Sequence, residues 1–162
     1  MLRVNRKRIK LALKSPPIWT IVVGVLVLAS VVSVTGMLAN INRTNGPKYT
    51  TLRTTEGGYL LEKADQLSTQ ERGLSGRSKM NDGLGMIFMY TNEEQRCFWM
   101  KDMNFAIDII WASPDKRVTH VEYGLDPNTY PKQYCATAQY VIELNAGQAK
   151  RNGFKTGSQL NF

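Results

Sequence analysis

The sequence predicts a mostly β protein, a compact sandwich or distorted barrel with two short helices, preceded by one N-terminal transmembrane helix. Three observations lead there. No charged residue occurs from Ser15 to Asn42. Beyond residue 48, about seven short runs are rich in β-branched and aromatic residues or alternate apolar with polar. Turn signals separate those runs, the spacing expected of a sandwich or barrel. At 162 residues the chain has room for one domain and an anchor.

Residues 1–17 form a basic segment expected to stay in the cytoplasm, and residues 18–38 (IWTIVVGVLVLASVVSVTGML) are the expected membrane-spanning helix. At about 1.5 Å per residue this helix would span roughly 31 Å, close to the hydrocarbon thickness of a bilayer. Six basic residues precede it and only Arg43 and Lys48 follow closely. The positive-inside rule therefore sends the rest of the chain across. A cleaved signal peptide shares the charged start, but its apolar part runs only about 7–15 residues. Either outcome puts the domain outside the cytoplasm. Residues 39–48 read as a polar linker, and residues 49–162 as the exported β domain.

Net charge excludes one function class. The formal charge is +8, yet residues 1–48 hold eight Lys and Arg and no acid. The domain is therefore neutral and offers no basic surface to displace counterions from phosphates, so nucleic acid is not an expected partner.

Within the domain, Tyr49–Thr54 and Tyr59–Ala64 flank Glu56-Gly57-Gly58 as a hairpin. Ser68-Thr69-Gln70-Glu71 has the form of a capping box, with Ser68 as N-cap and Glu71 at N3, of a helix ending near Gly73 or Gly76. Strands are expected at Gly85–Tyr90, Arg96–Met100, Phe105–Ala112, Arg117–Tyr123 and Gln139–Leu144, with Gln159–Phe162 closing a sheet. Asn145 is the expected N-cap of a helix over Ala146–Asn152, with Gly153 after its end. Cys97 and Cys135 are the only cysteines. In an oxidising compartment one disulfide accounts for them, the alternative being two buried reduced thiols.

Five blocks carry a family resemblance: Glu71-Arg72-Gly73-Leu74 with Gly76-Arg77, Gly85-Met86-Ile87-Phe88, Trp99-Met100-Lys101, Ile107-Asp108-Ile109-Ile110, and Val141-Ile142-Glu143-Leu144-Asn145-Ala146-Gly147. In order and spacing they resemble the domain of unknown function 192 family over about residues 58–162. The chain departs from that pattern at Asp102-Met103 and at Ala106. The resemblance implies a compact β fold of jelly-roll character, often exported or membrane-attached, and no known activity.

The candidate ligand-binding residues are Arg72, Arg77, Trp99, Lys101 and Asp108. Asp108 interrupts the apolar run Phe105–Trp111, so its carboxylate must be paired, either structurally with Arg72 or Arg77 or with a polar ligand. Arg72 and Arg77 suit bidentate recognition of anions, or structural ion pairs. Trp99 and Lys101 share one side of a strand, and they face outward if Met100 is the core residue. An exposed Trp beside a Lys makes a platform for a sugar or an anion. Glu143 is read as exposed or paired with an Arg, and His120 as a surface residue beside Glu122. No metal-ligand cluster, phosphate-cradling loop or nucleophile elbow occurs, so no cofactor and no metal is expected. These features favour a non-catalytic binding module for a cell-envelope glycan or peptide. The alternatives are an envelope hydrolase pairing Asp108 with Glu143 or Glu122, and an assembly partner of a membrane complex.

Overall fold

The computed structural model describes residues 48–55 and 57–162. The expected basic segment, the membrane-spanning helix and nearly all of the linker lie outside the described residues, as does Glu56. The described domain is mostly β, with two short helices: β1 Tyr49–Thr54, β2 Gly57–Ala64, α1 Leu67–Arg72, β3 Leu84–Trp99, β4 Ile107–Ala112, β5 Val118–Leu125, β6 Gln133–Asn145 and α2 Gln148–Arg151.

The strands make one open, mixed sheet in the order β1-β2-β3-β6-β4-β5, and not the expected jelly-roll-like sandwich or barrel, because both faces are covered by helices and loops instead of a second sheet. β1 and β2 form the expected hairpin, β2 runs parallel to β3, and the remaining pairs are antiparallel. The C-terminal tail laces the two edge strands. Asn161 O accepts from Arg53 N on β1 at 2.8 Å, and Ser158 O accepts from Val118 N on β5 at 2.9 Å. Gln159–Phe162 thus closes the sheet by isolated bridges rather than as a strand.

Apolar cores cover both faces. One gathers Leu52, Leu61, Ile87, Ile110, Ile142 and Leu144 under Ala149, Phe154 and Leu160. The other gathers Met86, Phe88, Ile109, Trp111 and Val141 under Leu74 and Met100. Each fully buried side chain of this size contributes roughly 1.5–3 kcal/mol. Burial on both sides makes β4 apolar at five of its six positions, Asp108 being the exception.

Three local expectations are corrected. The expected strands Gly85–Tyr90 and Arg96–Met100 merge into one, β3, which ends at Trp99 and carries a register shift between Met89 and Glu94. There β3 advances five residues against two on β6, so residues 90–93 bulge out without a β6 partner, and the polar stretch Thr91–Gln95 looks like a loop in the sequence. Helix α1 starts earlier than Ser68. Its N-cap is Gln66, and Thr69 is the N3 residue, whose Oγ1 accepts from Gln66 N at 3.2 Å. Asn145 ends β6 and does not cap α2, because Gly147, at φ 84°, holds the N-cap position. Gly153 follows α2 with a positive φ, as expected.

Candidate functional site

The site is built where α1 and the loop after it close over the middle of β3 and β6. Gln70 fixes the helix. Its Nε2 donates to Ala64 O at 3.1 Å and to Met89 O at 3.0 Å, just where the β3 register breaks. The loop after α1 is tied to the turn after β3 by three bonds. Gly76 N donates to Asp102 O at 2.8 Å, Ser75 Oγ to Lys101 O at 2.9 Å, and Asn104 Nδ2 to Arg77 O at 3.0 Å. Gly73 makes the closure possible. Its backbone lies at φ 53°, and a Cβ there would sit 3.3 Å from the Phe88 ring.

Beneath this cover lies a cavity of about 170 Å³. Phe88, Tyr90, Phe98 and Met103 wall it, Gln70 through Ser75 and Trp99 form its rim, and Glu143 lines its interior. Glu143 projects from β6 between Met86 of β3 and Ile109 of β4, on the face of the second core. It is 6 % exposed, and its Oε2 is buried with no hydrogen-bond partner. Burial pushes its carboxyl up to about 8, and the positive charge of Arg77 pulls it only part of the way back. The acid is therefore neutral near pH 7. Burial also raises the Tyr90 hydroxyl, which the Arg96 guanidinium lowers in part and Glu143 raises further. Arg96 lies over the Tyr90 ring, 3.8 Å from its centroid.

The expected site residues fall into two groups. Arg72 stands on the rim, exposed, and makes no ion pair among the described residues. Met100 is buried at 1 % exposure, so Trp99 faces outward at 51 % and meets Tyr130 edge-on at 6.4 Å. Lys101 is exposed in the adjoining turn, which contributes its carbonyl to Ser75. Arg77 lies in a neighbouring hollow of about 180 Å³, where its Nη2 pairs with Glu62 Oε2 at 3.1 Å.

Asp108 stands apart from all of these. It is fully buried, its Oδ1 accepts from Gly124 N at 2.7 Å, and its Oδ2 accepts from Ala149 N at 2.8 Å. Backbone amides, and neither arginine, satisfy it. The hydrolase pair of Asp108 with Glu143 is not assembled, since the two leave opposite faces of the sheet. Glu122 Oε1 lies 3.0 Å from His120 Nε2, out beyond β4. Glu143, read from the sequence as exposed or paired, proves to be the buried and unpartnered acid.

Cys97 and Cys135 sit opposite one another on β3 and β6 and form a disulfide, with both residues exposed. Buried Trp111 satisfies its indole by donating Nε1 to Arg96 O at 3.0 Å.

Fold and site together define a small sheet domain with a covered, acid-lined cavity. The sequence profile of the DUF192 family, described as uncharacterized ACR, matches residues 50–162, and the chain belongs to that family. It is similar to a solved protein of unknown function from Novosphingobium aromaticivorans, at 29 % identity and a TM-score of 0.62, over 70 % of this chain and 84 % of that one. It is also similar to a candidate transcription regulator of Sinorhizobium meliloti, at 26 % identity and a TM-score of 0.63, over 72 % of this chain and 97 % of that one. No curated protein matches.

Proposed function

We propose that this chain is a membrane-tethered domain, held outside the cytoplasm by its apolar segment 18–38, that binds a cell-envelope glycan without transforming it. The observation that carries the reading is the Glu143 carboxyl, buried in a cavity with Oε2 unpartnered. A buried polar atom left without a partner costs about 1–3 kcal/mol, so a group that supplies the missing bond gains affinity from it. The cavity is smaller than the roughly 300–1,000 Å³ of a drug-sized site. It suits a single ring, such as one sugar residue. Trp99, half exposed on the rim, offers an aromatic face on which a sugar can stack outside the cavity.

Binding is favoured over hydrolysis because glycosidases need two carboxyls facing one bond, about 5–9.5 Å apart. Asp108 leaves the other face of the sheet, and Glu122 is engaged with His120. Glu71 is on the rim, exposed beside Arg72.

Calorimetric titration of the full-length protein in detergent micelles with envelope oligosaccharides tests the proposal. Saturable binding that weakens in Trp99→Ala, with the sugar recovered intact, is the expected result. Cleavage of the sugar would replace the binding reading with the hydrolase, and no heat with any glycan would remove both. Recovery of the full-length chain in the soluble fraction of the cell interior would remove the tether.

A further inference from the structure

We propose that the cavity at Glu143 receives a protonated amine, so that the glycan unit it holds is an amino sugar whose nitrogen is free and cationic. This rests on the glycan-binding reading and narrows its ligand.

The argument is one of charge. A neutral hydroxyl could be held by an amide or another hydroxyl, neither of which carries a charge to bury. A lone buried carboxyl is costly to keep, and a cation is the partner that matches it in full. Among the described residues there is no such partner. Arg77, whose charge reaches Glu143, is bonded to Glu62 at 3.1 Å. Arg72 and Glu71 stand together on the rim with opposite signs. Arg96 is stacked on Tyr90 and bonded to Asn92 O at 3.0 Å. The walls suit a cation as well, since the rings of Phe88 and Phe98 carry electron-rich faces and ask for no hydrogen bond at their ring carbons.

Binding then exchanges one proton for one ammonium. The O–H bond of the neutral acid breaks, its proton leaves to solvent, and the resulting carboxylate accepts an N–H of the ligand. No bond of the ligand forms or breaks. The carboxyl's raised affinity for its proton makes this release measurable, because the acid is protonated before the ligand arrives.

The test is calorimetric titration of the full-length protein in detergent with glucosamine and with its uncharged counterpart N-acetylglucosamine, at about pH 6 in two buffers of different ionisation heat. Glucosamine is expected to bind about tenfold or more tightly than N-acetylglucosamine and to release close to one proton per site. Glu143→Gln is expected to abolish both the preference and the release. Melting curves of the same samples report whether the variant is folded, and the proton count on the unaltered protein stands without it. Equal binding of the two sugars without proton release would overturn the amine and leave the glycan reading intact. Binding of neither would overturn both. Equal binding of glucosamine and of lysine amide, with proton release, would keep the ammonium and overturn the sugar.

Discussion

Asp108 on β4 and Glu143 on β6 are carboxyls of neighbouring strands that leave opposite faces of one sheet, because Asp108 lies opposite Leu144 and Glu143 lies opposite Ile109. That offset of one residue decides their chemistry. Asp108 enters the face closed by α2, where Gly124 N and Ala149 N meet its two oxygens. Glu143 enters the face closed by the loop after α1, which covers it without bonding Oε2. Burial is similar and satisfaction is opposite, so one acid belongs to the fold and the other is available to a ligand.

Asp108→Asn is expected to destabilise the domain by about 2–4 kcal/mol, because an amide NH2 would be set against a backbone N–H that needs an acceptor. Ligand affinity in the surviving folded fraction should be unchanged. Urea denaturation followed by circular dichroism checks the first point, and titration of the folded variant checks the second. Unaltered stability would mean that the two amides find other acceptors.

Much of this contrast is legible in the sequence, and the rest is not for identifiable reasons. A single carboxylate inside Ile107–Ala112 announces a buried acid, and Gly57-Gly58 announces the first hairpin. Of Trp99 and Met100 the sequence shows only that one turns inward; the structure buries Met100, turns Trp99 out and puts Lys101 in the turn beyond the strand. Glu143 is different. In Gln139–Leu144 its position alternates with Ile142, so strand periodicity reads it as outward-facing, and it becomes buried only because Gly73 lets a loop from about 70 residues earlier lie on that face. The early start of α1 is hidden for a related reason. Ser68 and Glu71 have the right spacing for a box, but Gln70 must face Ala64 O and Met89 O, and that fixes the helix about two residues upstream.

Replacing Cys97 and Cys135 together with Ser is expected to lower the melting temperature under oxidising conditions. The disulfide closes a separation of 38 residues, worth about 4 kcal/mol if its effect is to restrict the unfolded chain. A reducing agent should bring the unaltered protein down to the double variant. Superimposable melting curves with and without reductant would show that the link adds nothing to stability.

Gly85→Ala is expected to cost about 1–3 kcal/mol. A Cβ at this position would lie 2.6 Å from Leu61 Cδ2, 2.7 Å from Leu144 Cδ2 and 2.8 Å from Glu143 O. The two methyl groups can turn away. The carbonyl oxygen belongs to the β6 backbone paired with β3, so the strands themselves would have to separate. A denaturation midpoint equal to that of the unaltered protein would show that the sheet yields more readily than its packing implies.

Stability should fall as pH rises from about 4.5 toward 8, and Glu143 should be the cause. In the unfolded chain its carboxyl ionises near the ordinary 4.5, whereas in the fold burial holds the proton until about 8. Between those values the folded state binds more protons than the unfolded one, so each rise in pH favours unfolding. The full contribution is present below about pH 4.5 and is lost once the folded carboxyl has ionised above about 8, a change on the order of 4–5 kcal/mol. Glu143→Gln keeps the shape of the neutral acid and has no proton to lose. Its stability should nearly match the unaltered protein at about pH 5 and exceed it at about pH 9. Taking the difference between the two denaturation series cancels every other titrating group they share. A difference that stays constant across the range would mean that Glu143 ionises like a solvent-exposed acid, and the cavity would then lose the feature that makes it a site.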